Sequence, residues 1–329
     1  MNFQRRRFLH CAAAVAALPT LSRFAAAATY PSRPITMVVP FAAGGGTDIL
    51  ARILAERMRV PLGQPVIIEN LAGAGGSIGV GRVVHAPADG YTLSIGTLTT
   101  HVLTGALYPL QFDLLTDLAP IAELAYEPLL IATKKSLPVD NLQELIAWLK
   151  ANPDKATAGI PGAGSTGNLA GIAFQKATGT TFRFVPYRGD GPAVQDLMAG
   201  QIDMMIEPSS NFVAQVQAGT VNALAVTAKT RHPGMPKVPT VDEAGLPRFY
   251  VSIWFGLWAP KDTPKDIIAT LNAATVDSLA DPDLRARLDK LGQQVAARNV
   301  QTPEALAAFQ KAEADKWWPI IKAANIKGG

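Results

Sequence analysis

The chain reads as an α/β protein, and three observations lead there. Short runs rich in β-branched residues alternate with helical runs almost throughout. Two strand-to-helix junctions are glycine-rich turns, 40–48 and 158–168. The 329 residues hold no low-complexity linker and are enough for two cores.

The run 35–39 is apolar and β-branched and reads as a buried strand. The helix after it sets Ile49, Leu50, Ile53, Leu54 and Met58 on one face. Thr47 or Asp48 is expected to cap that helix. A strand at 66–69, a glycine turn at 73–77 and a helix to about residue 86 follow. A third strand, 91–95, opens into 96–101. The second set begins with a strand at 129–132 and a helix at 141–151. Next come a strand at 157–160, the second glycine turn and a helix over 168–178. Further strands are read at 182–185, 202–206 and 223–227. After 251–257 the chain turns helical to its end, with Pro264, Pro282 and Pro303 near helix starts.

Residues 1–28 read as an export leader. Arg5, Arg6 and Arg7 resemble a twin-arginine signal, and the apolar run after them is too short for a bilayer span. The run 24–28 suits cleavage before Thr29. The expected location is therefore the periplasm. The leader holds Arg5, Arg6, Arg7, Arg23 and no acid, so the rest has 26 basic and 26 acidic residues and no net charge. No basic field remains to hold nucleic acid. The one cysteine, Cys11, lies in the leader, which leaves no disulfide, thiol nucleophile or thiolate ligand beyond it. His85, His101 and His232 are scattered and show no metal spacing.

The two turns carry the chemistry. Glycine lets backbone approach a ligand closely, and a helix start offers unpaired N–H groups and partial positive charge. The first turn offers Phe41, Ala42, Ala43, Gly44, Gly45, Gly46, Thr47 and Asp48. The second offers Ala158, Gly159, Gly162, Ala163, Gly164, Ser165, Thr166 and Asn168. Neither contains Lys or Arg. Facing one cleft, they would grip a small carboxylate through main-chain amides and hydroxyls. Tyr187 and Arg188 follow a strand at the cleft edge, and Arg188 would suit a second carboxylate. Glu207 ends a strand and would accept a ligand ammonium or repel a wrong substrate, and Trp254 would wall the pocket. A rival remains: 162–167 matches G-x-G-x-x-G, the turn of an exported NADP-dependent oxidoreductase. Against it, the strand over 182–185 ends in Pro186-Tyr187-Arg188, with no acid for a ribose.

Further segments carry a family likeness: 30–35, 39–48, 73–76, 87–93, 185–189, 224–227, 238–247 and 254–260. Through them the chain from Tyr30 to about Ala324 resembles the substrate-binding proteins of tripartite tricarboxylate transporters, the Bug receptors. The resemblance implies a flytrap architecture of two α/β domains, each with a mainly parallel sheet. One would take 29–125 with 255–329, the other 126–254. It implies a receptor and no enzyme, without cofactor or metal. The protein would work as a monomer, delivering its ligand to membrane permease subunits. The implied ligands are di- or tricarboxylates, acidic amino acids or aromatic acids. The loop with Thr97 and Thr99 becomes a third pocket wall. Two departures stand out: the family often has His at the place of Asn168 and an acid at that of Ile172.

Overall fold

The computed structural model describes residues 30–187, 189–323 and 325–327. The expected leader, Cys11 and Arg188 lie outside them. The chain divides into Met1–Ser32, of which three residues are described, and Arg33–Gly329, which holds every element below.

In order these are β1 Ile35–Val39, α1 Gly46–Leu62, β2 Val66–Asn70, α2 Ser77–Val84 and β3 Thr92–Thr97. A π-helical turn, Thr99–Leu103, runs into α3 Thr104–Leu107. Then come β4 Leu118–Lys134, α4 Leu142–Ala151, β5 Thr157–Ile160, α5 Thr166–Thr178 and β6 Arg183–Pro186. They are followed by α6 Asp190–Met198, β7 Met204–Pro208, α7 Val213–Gln217, β8 Val221–Val226 and β9 Ser252–Pro260. The chain finishes with α8 Lys265–Ala280, α9 Pro282–Lys290, β10 Gln294–Val295 and α10 Pro303–Ala323.

The strands form one mixed sheet in the order β2-β1-β3-β9-β4-β7-β5-β6, with β8 and β10 also paired to β4. Both flanks are parallel: β2-β1-β3 on one side, β7-β5-β6 on the other. The centre is antiparallel. There β4 is shared: Leu118 to Pro128 pair with β9, and from Leu129 onward it pairs with β7 and β8. Pro128 has no N–H for a ladder, so the exchange of partners falls where the ladder is weakest.

Beyond the exchange, β4 alternates in the way a strand buried on both faces must. Leu129 and Ile131 face a core with Phe174, Phe182 and Phe249. Leu130 and Ala132 face another with Leu197, Met205 and Phe212. The β1–β3 side has its own core, built on Val80, Leu103, Trp258, Trp317 and Ile321. Leu169 from α5 joins it, with Ile172 packed at its edge. Apolar packing therefore occupies the place where the family resemblance implied an acid.

Parallel strands expose their following loops at one end, and that end is where open α/β sheets bind ligands. The loops after β1 and β3 and those after β5, β6 and β7 are the segments singled out from sequence.

Candidate functional site

The two glycine turns are built alike. In the first, Gly45 is the N-cap of α1 and Gly44 before it has φ +88°. In the second, Ser165 is the N-cap of α5 and Gly164 before it has φ +75°. That left-handed backbone favours glycine at both places. Each turn is then closed by a side chain four residues on. Gly44 N–H donates to Asp48 Oδ2 at 2.8 Å, and Gly164 N–H donates to Asn168 Oδ1 at 2.9 Å.

This corrects the expected caps. No side chain caps α1, and Asp48 ties the loop instead; α5 is capped by Ser165, which accepts from Asn168 N–H. Asp48 is buried and also accepts from Arg52 and Asn70, while Asn70 reaches the Phe41 carbonyl. Burial would raise the Asp48 carboxyl. The bonds from Arg52, the Gly44 amide and Asn70 outweigh it and hold the pKa below the ordinary aspartate value. The Asp48 and Asn168 oxygens are thus committed to the loops.

What remains open is main chain. The first backbone bond of α1 runs from Ile49 N–H to Gly45 C=O, so the amides of Gly46, Thr47 and Asp48 have no helical partner. In α5 the first such bond starts at Leu169, which leaves Thr166 and Gly167. Ala42, Ala43, Gly44 and Gly45 are exposed, as is Ala163, while Gly162 is half-buried.

The third loop joins the second turn directly. Thr99 Oγ1 and Thr166 Oγ1 lie 3.1 Å apart. Thr97 is buried and gives its N–H to Thr100 Oγ1 at 3.0 Å. His101 braces Thr100 from behind at 2.9 Å, bonds Ser94 through its other nitrogen and stacks on Trp258. Burial pushes its pKa down to about 3, so the ring is neutral. Leu107 covers Gly164 so closely that a methyl group there would clash. The β1–β3 and β5–β7 sides thus touch at these two contacts.

Other candidates fall differently. Ala158 belongs to the Phe174 core, and Ile202 closes the face of Gly159, so both β5 residues pack inward behind the turn. The Tyr187 hydroxyl donates to Asp196 at 2.7 Å; burial and that bond raise its pKa to about 12. Trp254 is buried in the Trp258 core and lines a cavity of about 350 Å³ with Leu98, Phe249, Phe309 and Trp317. No residue of either turn lines that cavity.

Glu207, at the end of β7, is 2% exposed and lies hard against Gly167 at the α5 start. Burial first, then the charge of Asp190, raises its pKa well above the usual glutamate range. Sequence reasoning missed its neighbours. Glu127 on β4 accepts from Ser210 N–H at 2.7 Å and from Gln293 Nε2 at 3.3 Å; Gln293 also donates to the Gly46 carbonyl. Glu127 falls beside the partner exchange of β4, which no local pattern marks. Among the described residues no group of His, Cys, Asp and Glu could hold a metal ion.

The fold agrees with that of relatives of known structure. A family model described as "Tripartite tricarboxylate transporter family receptor" matches residues 50–326. Protein BugT of Bordetella pertussis is 36% identical over 301 residues, with 91% of each chain covered. The solved structure of the periplasmic binding protein BugD matches with a TM-score of 0.81 at 39% identity, covering 91% of this chain and 99% of that one. MatC from Rhodopseudomonas palustris, solved with bound malate, gives 0.79 at 38% identity, covering 89% and 100%. None of these supports the dinucleotide reading of 162–167.

Proposed function

We propose that this chain, which belongs to the tripartite tricarboxylate transporter receptor family, is a periplasmic solute receptor without catalytic activity. It holds a small carboxylate between the first and second turns and hands it to membrane permease subunits. The observation that carries this reading is the matched pair of turns, each with unpartnered helix-start amides and each tied by its own side chain. A carboxylate accepts several N–H bonds, each contributing about 1.5–3 kcal/mol when charge-assisted.

Two lobes, 29–125 with 255–329 and 126–254, close on the ligand. The partner exchange at Pro128–Leu129 supports a hinge there. Closure is a population shift: a ligand touching both turns favours the shut form by the difference of its affinities for shut and open. The malate held by MatC is a carboxylate of the expected kind. No described helix is long and apolar enough to cross a membrane, in keeping with delivery to a separate permease.

The test is a thermal-shift and calorimetry screen of mono-, di- and tricarboxylates and amino acids. A true ligand at a hundred times its dissociation constant adds about 2.7 kcal/mol of stability. If no carboxylate binds, the receptor reading fails.

A further inference from the structure

We propose that the ligand is an amino acid, its carboxylate on the turns and its ammonium received by Glu207 with Asp190 beside it. This rests on the receptor reading and names the ligand class of that same cleft.

The argument starts from atoms without partners. Glu207 is 2% exposed, and its Oε1 makes no hydrogen bond. Its carboxyl sits against Gly167, at the helix start where a ligand carboxylate is expected. Asp190 opens α6 at the same end of the sheet, where burial raises its pKa and the Asn211 side chain is its hydrogen-bond partner. Asp190 raises both Glu127 and Glu207, so the three carboxyls share one field. Gln293 is an independent witness. It is fully buried, and its Nε2 is used by Glu127 and by the Gly46 carbonyl of the first turn. Its Oε1 is left with nothing. Among the described residues no Lys or Arg pairs with Glu127, Asp190 or Glu207.

The orphan oxygens of Glu207 and Gln293 are acceptors once Glu207 is ionised, as a bound cation would make it. Buried acceptors left unpaired are rare and costly. A second ligand carboxylate brings only further acceptors and like charge. An aliphatic tail brings nothing. A primary ammonium brings three N–H donors and a positive charge. It also separates the ligand carboxylate from Glu207 at a helix start that both would otherwise contest.

Matched pairs differing only in the amino group test this by calorimetry: aspartate with succinate, glutamate with glutarate, alanine with propionate, leucine with 4-methylpentanoate. In at least one pair the amino acid is expected to bind tenfold or more tightly than its partner. Glu207→Gln removes that preference, and Asp190→Asn reduces it. Equal or tighter binding of the plain acids by the native protein overturns the proposal and leaves the receptor reading intact. So does a preference that survives in Glu207→Gln. Affinity for plain acids that falls as pH rises would make Glu207 a proton donor to a carboxylate and also overturn it. Binding of neither member of any pair overturns the proposal, while the receptor reading is decided by the wider carboxylate screen. The native comparison needs no variant, and Asp190→Asn serves where Glu207→Gln does not fold.

Discussion

Gly45 and Gly164 occupy similar turns but answer differently to one substitution. At Gly45 the backbone is extended, and an added Cβ would meet only the Ala42 carbonyl, at 3.9 Å. Gly45→Val therefore fits the fold and obstructs only what approaches the turn. We expect unchanged melting and at least a tenfold loss of ligand affinity, about 1.4 kcal/mol; calorimetry at intact affinity would remove the first turn from the site. Gly164→Val instead meets Leu107 at a left-handed φ, so it is expected to damage the fold itself. Spacing alone made the two glycines look equivalent. The turns were legible because glycine beside a helix start has few other uses. The ties by Asp48 and Asn168 were not, because a side chain that caps and one that reaches back four residues have the same residue type.

Among the elements, β4 was the largest gap between sequence and structure. Only 129–132 read as strand, since Pro120, Glu123, Glu127 and Pro128 break the apolar pattern of its first half. That half is extended because β9 pairs along it, a contact between residues far apart in the chain. The same reason hid β10, two residues long and paired only to β4. Helix α10 was legible, but its docking was not. Gln310 accepts from Trp258 Nε1 at 3.1 Å and donates to the carbonyls of His101 and Leu114 at 2.8 and 3.0 Å. One buried amide thus ties α10 to β9 and to the π-helical turn beside the third loop. Gln310→Leu leaves those groups unpaired, at about 1–3 kcal/mol for each. Denaturant unfolding should show a loss of at least 2 kcal/mol; a smaller change would mean that the helix docks by apolar packing alone.

At the scale of the whole molecule, stability should depend on pH through buried acids that lack cations. Glu123 on β4 is the clearest: burial, then the nearby Glu313 charge, raise its pKa to about 7. A raised acid binds its proton more tightly folded than unfolded. Its contribution is complete below the ordinary glutamate value and is lost as pH rises through about 7. Melting temperatures of native protein and Glu123→Gln, compared from pH 5 to 8, should diverge accordingly, with the native protein losing more on the basic side. Parallel loss in both would assign the dependence elsewhere. The α/β class and the cleft edge were legible from composition and alternation. Of the acids gathered there only Glu207 was legible, because its meeting with Glu127, Asp190 and Gln293 depends on β4, β7, α6 and the segment before β10 arriving together.

The ties that close the glycine turns have a kinetic consequence. Asp48 and Asn168 hold both amide sets in shape by bonds within the loops themselves, so on the receptor reading ligand binding freezes little additional backbone. On that reading, ordering of these loops adds little to the time a ligand takes to load. Scavenging at low concentration favours such a device, whose grip need not be assembled anew at each encounter.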